Sequence, residues 1–173
     1  MCRFVLLLDL GSALSPTNAF NFIQGLETLP IRFKKHQENA EQVAKYLKDK
    51  KNVNRVIHPR YQHDIYKKRA EKYMEDGFGP LVGFELEGGI EAGINFINNL
   101  ELIYHVANIG DARTLAIHPA STTHSQLSSE DQLRAGVTPG YIRLSVGIEH
   151  IDDIIDDIDQ AINKLENKVK NVA

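Results

Sequence analysis

Ile151, Ile154, Ile155, Ile158, Ala161, Ile162 and Leu165 recur at offsets of 0, 3, 4, 7, 10, 11 and 14. That spacing draws one broad apolar stripe along a helix, wide enough to lie on a sheet. Two other stretches carry the period of a strand. Val82, Phe84 and Leu86 alternate with Gly83, Glu85 and Glu87 until Gly88-Gly89 stops the run, and Ile142, Leu144 and Val146 alternate with Tyr141, Arg143 and Ser145. Each has an aliphatic face for a core and a polar face turned away from it. Near the start, Ser15-Pro16 opens a helix, with a serine that can accept from orphan amides and a proline preset for the first helical position. That helix runs through Phe20, Ile23 and Leu26. Thr28 and Pro30 restart the pattern, and Ala40, Val43, Ala44 and Leu47 carry it to the polar cluster Lys48 to Asn52. The pattern predicts two consecutive helices or one long helix with a bend.

Between these anchors lie shorter elements. Val53 to Ile57 predicts a strand closed by His58-Pro59, Asp64 to Met74 a basic amphipathic helix, and Asp76 to Pro80 a loop. A short helix after Gly89 is expected to use Ile90, Ile94 and Ile97 as its face. Ile103 to Ala107 and Thr114 to His118 predict strands around a Gly110-Asp111 turn. Ser128 caps a short helix through Leu133, and turn residues from Gly136 to Gly140 lead into the Arg143 strand. The expected fold is α/β with an α+β-like character: a small, mainly antiparallel sheet, helices packed on one side of it, and long helices ahead of it. The expected division is a helical segment over residues 1–50 and a small α/β domain over residues 51–173. The first two helices are too long and too apolar for the sheet alone, so part of their surface is expected to meet another chain or a further domain.

Composition narrows the classes. A chain of 173 residues with 42% hydrophobic content supports one real core. A net charge of −3 gives no overall basic field, which argues against nucleic acid as the main partner. The acids from Glu149 to Asp159 and the bases between Arg32 and Glu75 have the spacing of exposed helix faces and are read as solvated. Cys2 is the only cysteine, so neither an intrachain disulfide nor a thiolate zinc site can form, and a reducing cytoplasm suits the chain. Met1 to Leu8 has a short apolar run that Asp9 ends before signal-peptide or membrane length, and it is read as a buried helical or extended segment.

Arg143 is the leading chemical candidate. A guanidinium on the polar face of a rigid strand offers a planar fork that matches the two oxygens of a carboxylate, although an arginine on a solvated sheet face is the plainer alternative. The segment Asn108 to His124 is dense in small polar residues and exposes backbone at Gly110, so it can offer amides to an anion or can simply be a polar connection. Together with Arg143 it would form a carboxylate clamp, with Gly110, Ser121 and Thr123 as further loop candidates. Other motifs fail on spacing. Gly88-Gly89-Ile90-Glu91-Ala92-Gly93 has Ile90 where a dinucleotide loop needs glycine, so it is a strand-to-helix turn. The histidines lack metal-ligand spacing, and neither Ser121 nor Ser145 sits in a nucleophile elbow.

Three ordered motifs then resemble a known family. Ser15-Pro16-Thr17-Asn18-Ala19-Phe20 with Gln24-Gly25-Leu26-Glu27-Thr28-Leu29, next Asn108 to His124, and last Ile142 to Glu149 with Ile151-Asp152-Asp153-Ile154, are similar to the C-terminal part of the Cys/Met-metabolism enzymes that use pyridoxal phosphate. The likeness is greatest to their O-acetylhomoserine sulfhydrylase branch and covers about Asp9 to Leu165. It implies the small C-terminal domain of a fold-type I pyridoxal-phosphate transferase, with the helix that leads into it. It implies that Arg143 binds the substrate α-carboxylate, assisted by the main chain at Asn108. The reaction implied is γ-replacement in methionine biosynthesis, in which acetate on O-acetylhomoserine is exchanged for sulfide or a thiol to give homocysteine or methionine. The family also needs a cofactor-anchoring lysine, an acid for the pyridine nitrogen and a phosphate cup, and it places these upstream of the matched region. The expectation is therefore a truncated or split enzyme with no catalytic lysine of its own. It would bind no cofactor alone, and it would be completed by a separate N-terminal chain or persist as a non-catalytic assembly module, with a homo-oligomer or a missing domain as partner.

Overall fold

The computed structural model describes residue 5 and residues 7–74 and 76–170, with side chains described through Leu165. The chain divides into two compact units, Met1–Arg32 and Phe33–Ala173.

The first unit holds helix α1 (Leu7–Leu10), helix α2 (Pro16–Glu27) and the first turn of α3 (Leu29–Lys48). Helix α2 begins as its sequence dictates: Pro16 takes the first helical position and the Ser15 hydroxyl accepts from the Asn18 amide at 3.2 Å. Two helices form here, separated at Thr28. Arg32 braces their junction by donating from Nη2 to the Gly25 carbonyl at 2.7 Å and from Nε to the Thr28 hydroxyl at 3.3 Å. The apolar side chains of this unit are largely in the open, with Leu8 at 76%, Phe22 at 62% and Ile31 at 75% exposure. The burial expected of the opening segment is not met at Val5, Leu7 or Leu8, all of which are exposed, and residues 1–4 and 6 lie outside the described residues. A single helical turn has too little surface of its own to cover four successive apolar residues.

The second unit is built on a five-stranded sheet in the order β1-β2-β5-β4-β3. Its strands are β1 (Val53–Ile57), β2 (Leu81–Leu86), β3 (Tyr104–His105), β4 (Leu115–Ile117) and β5 (Tyr141–Ser145). Every pairing is antiparallel except β3 with β4. The register places Val82 opposite Leu144 and Phe84 opposite Ile142, with Ala116 opposite Leu144 on the other side. These residues face one way and form one core with Ala40, Val43, Ala44 and Leu47 of α3, Phe96 and Ile97 of α5 (Gly89–Asn99), and Ile154, Ile158, Ala161 and Ile162 of α7 (Ile151–Lys170). Helices thus fill one side of the sheet, as the alternation of its strands requires. Phe84 and Phe96 meet edge to face at 5.4 Å between ring centres in the middle of this layer. Helices α4 (Asp64–Tyr73) and α6 (Ser129–Arg134) complete the unit. Among the described residues no helix is long and apolar enough to cross a membrane.

Three sequence expectations change. Helix α5 buries Ala92, Gly93, Phe96 and Ile97 and leaves Ile90 exposed, because the helix rotates to seat the larger Phe96 ring against Phe84. The strands expected over 103–107 and 114–118 are shorter, because the chain leaves the sheet after the Val106 amide bonds Ala116, to form a loop with its own polar contacts. The acidic run of α7 is not uniformly solvated. Asp157 is buried and accepts the backbone amides of Glu101, Leu102 and Ile103 at 2.8, 3.0 and 2.9 Å. Asp159 takes Lys50 at 2.5 Å and the Tyr46 hydroxyl. Its hydrogen bond from Lys50 holds this carboxyl below its ordinary range, while burial pushes Tyr46 up to about 12.

Candidate functional site

The face of the sheet opposite the core carries Tyr141, Arg143 and Ser145, with Gly83 and Glu85 beside them on β2 and Ile117 on β4, as the register demands. Arg143 does not reach into open solvent. Its Nη2 donates to the carbonyls of Ala107 at 2.7 Å and Asn108 at 3.2 Å, immediately before the Gly110-Asp111 bend. Its Nε is inaccessible to solvent and has no partner among the described residues.

The loop that meets Arg143 has no regular structure and is exposed from Val106 to Gly110, so its shape comes from polar ties rather than burial. The Gly110 amide donates to the Ser145 hydroxyl at 3.0 Å. At the far end, Glu149 accepts from the Thr114 amide at 2.6 Å and from the Thr114 hydroxyl at 2.8 Å, and that hydroxyl accepts from the Gly147 amide at 2.9 Å. The Ile148 amide donates to Ala112 O at 2.8 Å. A Cβ at Gly147 would lie 2.3 Å from a Glu149 carboxylate oxygen and 2.5 Å from the Ala112 carbonyl, so only glycine leaves room for this approach. From the core side, Asn39 donates to the carbonyls of Gly147 at 3.0 Å and Glu149 at 2.9 Å, and His36 Nδ1 lies 2.6 Å from the Val146 carbonyl. Arg113 stacks over Tyr104 at 4.4 Å and closes the outer side of the bend.

Asn108 and Gly110 are therefore brought together with Arg143. Ser121 and Thr123 bond within their own loop. Ser121 Oγ lies 2.8 Å from His118 Nδ1, and Thr123 Oγ1 lies 2.9 Å from His124 Nδ1. His118 Nε2 lies 2.7 Å from the Pro139 carbonyl. A carbonyl only accepts, so Nε2 carries the proton and Nδ1 accepts from Ser121. Burial pushes the His118 pKa down, which keeps the ring neutral. The ring fits because a Cβ on Gly93 would stand 2.4 Å from it. Gln132 fastens the same loop by donating to the carbonyls of Ala120 at 3.1 Å and His124 at 2.8 Å. Among the described residues no group of three or more metal-ligating side chains converges.

Sequence reasoning did not single out Ser145, Thr114, Glu149 or Asn39 as parts of this frame. One signal was present for the last. His36 and Asn39 fall on the same helical stripe as Ala40 and Val43, and polar residues on a buried stripe must find partners.

The model of the family described as Cys/Met metabolism PLP-dependent enzyme matches residues 3–163. The chain belongs to this family. It is 51% identical over 158 residues to the O-acetyl-L-homoserine sulfhydrylase of Leptospira meyeri, which covers 91% of this chain and 36% of that protein. It is 45% identical over 161 residues to the homocysteine synthase of Schizosaccharomyces pombe, covering 93% of this chain and 38% of that one. Its fold superposes with a TM-score of 0.85, at 42% identity, on a crystal structure from Campylobacter jejuni assigned as an O-acetylhomoserine (thiol)-lyase. The match covers 94% of this chain and 38% of that one, which carries a pyridoxyl-lysine phosphate at its position 205. This chain thus spans little more than a third of the length of the Cys/Met-metabolism proteins that it matches, and its sheet and helices are those of a fold-type I domain.

Proposed function

We propose that this chain supplies the substrate-carboxylate clamp of an O-acetylhomoserine sulfhydrylase-like enzyme, with Arg143 as the gripping residue and the loop at Asn108 as its support. The observation that carries the reading is the bonding state of Arg143. Two carbonyls occupy Nη2, which leaves Nε buried and unpartnered and Nη1 unbonded among the described residues. A guanidinium with donors left over calls for an acceptor, and a carboxylate makes a charge-assisted hydrogen bond with it. The relatives' printed activities support the α-carboxylate of an amino acid such as O-acetylhomoserine, with replacement of its γ-acetate by sulfide or a thiol as the reaction of the complete enzyme.

Pyridoxal phosphate is the family's cofactor, and it supplies the electron sink for such chemistry. The residues around Arg143 do not fit it on their own. No lysine occurs between Lys72 and Lys164, a span that holds β2 to β5 and the loop that meets Arg143. We therefore assign this chain no catalytic residue and no cofactor of its own. Its part is to bind and orient the substrate carboxylate. The single cysteine supports a cytoplasmic setting.

Titration of the purified chain with O-acetyl-L-homoserine, followed by NMR, tests the role of Arg143. Arg143→Ala should weaken binding by about 2 kcal/mol, roughly thirtyfold, as expected for a charge-assisted hydrogen bond. Unchanged binding would remove Arg143 from the site.

A second reading concerns assembly, and the exposed apolar helices of Met1–Arg32 favour it. Phe20, Phe22, Ile23, Leu26 and Ile31 are all more than half exposed. A surface of that kind is covered in a working assembly by another copy or by a further domain. Sedimentation velocity of the chain alone should give a dimer or larger species, and a stable monomer would leave a further domain as the cover.

A further inference from the structure

Arg143 owes its direction to a loop that the hydrophobic core does not hold, and this singles out the groups that hold the loop. Ser145 is buried on the same strand face as Arg143, two residues on, and its hydroxyl takes the Gly110 amide at 3.0 Å. Glu149 holds the other end through both oxygens, on the Thr114 amide and hydroxyl. The carbonyls of Ala107 and Asn108 that occupy Nη2 lie just ahead of the Gly110 tie. The strand alone fixes the Cα of Arg143. Four side-chain torsions remain, and the pair of carbonyls selects among them.

We infer that Ser145 and Glu149 are positioning residues: they lock the 107–114 loop so that its two carbonyls hold Nη2 and fix the orientation of the Arg143 guanidinium. This rests on the carboxylate-clamp reading, and it adds the source of the clamp's preorganisation. An arginine held at one nitrogen by fixed acceptors meets a carboxylate without first giving up its own rotamer freedom. Glu149 accepts from a backbone amide and a hydroxyl that belong to one residue, so its two oxygens set the rotation of the loop end as well as its distance. The missing Cβ at Gly147 permits that approach.

The test needs no ligand. In the ¹⁵N-labelled chain, with Arg143→Lys used to assign its signals, the guanidinium protons of Arg143 should be resolved and slow to exchange with water. In Ser145→Ala, which removes one acceptor and adds no bulk, their exchange should quicken at least tenfold while the amide signals of β2, β5 and α7 stay in place. Glu149→Gln keeps one oxygen for the Thr114 amide and should show a smaller acceleration in the same direction. Unchanged exchange at Arg143 in Ser145→Ala would overturn the inference. So would a loss of core amide signals equal to that at Arg143, since that outcome assigns Ser145 to general stability. Amino-acid binding that is insensitive to Arg143→Ala would instead overturn the clamp reading and leave the exchange result standing, so the two failures are separate.

Discussion

Replacing Asp157 with alanine should destabilise the chain by about 3 kcal/mol, a fall in Tm of roughly 10 °C for a domain of this size. Asp157 is almost fully buried on α7, and its two oxygens accept three successive amides where the chain turns from α5 toward β3. No other described group serves those amides, and the Ile103 amide belongs to a buried residue. The cost is that of leaving backbone donors without acceptors, which exceeds the net gain of an average hydrogen bond. Gln160 adds to the same knot by donating to Asp157 at 3.0 Å and to the Asn99 carbonyl at 2.6 Å. Asp157→Asn should lose less, because its remaining oxygen can still take the Leu102 and Ile103 amides, which share one carboxylate oxygen. Urea unfolding checks both, and a loss below about 1 kcal/mol would show that water replaces the carboxylate at no great cost.

That position also marks the limit of what the sequence discloses. The period of α7 was plain, because Ile151 to Leu165 fall on one stripe and the observed helix spans Ile151–Lys170. The same reasoning placed β2 and β5 within a residue, and it placed the Ser15-Pro16 helix start. Asp157 sat among other acids whose spacing fits an exposed face. Only the tertiary approach of the α5–β3 turn makes it a ligand for amides, and periodicity carries no information about that approach. The site divides in the same way. Arg143 was legible because strand alternation puts it opposite Ile142 and Leu144, and the three motifs that resemble the family pointed to the loop at Asn108. Ser145 and Glu149 were not legible. Their partners lie 35 residues away in the chain, at Gly110 and Thr114, and hydroxyls and carboxylates at strand ends are common. The short β3 and β4 were overextended for a related reason: Val106 has strand-forming character, yet the chain turns away after it to put carbonyls on Arg143.

Gly147→Ala should cost a similar amount, about 3 kcal/mol, by a different route. The added methyl group would meet the Ala112 carbonyl at 2.5 Å and the Arg113 carbonyl carbon at 2.5 Å, both backbone atoms, as well as the Glu149 carboxylate at 2.3 Å. A side chain can swing aside, but two backbone atoms cannot without moving the loop, so the overpacking cost of about 1–3 kcal/mol adds to the loss of the Glu149–Thr114 bonds. Thermal unfolding measures the stability, and the amide shifts of residues 106–114 report where the strain goes. Wild-type stability together with unmoved shifts in that loop would show that the contact yields easily.

Because β5 sends Ile142 and Leu144 to the helices and Tyr141, Arg143 and Ser145 to the other side, the domain keeps its architecture and its chemistry on separate ledgers. A change at Arg143 alters the outer face of the sheet and touches none of the packing between sheet and helices. A sheet built this way can change that face one alternate residue at a time, on a platform that folds the same regardless.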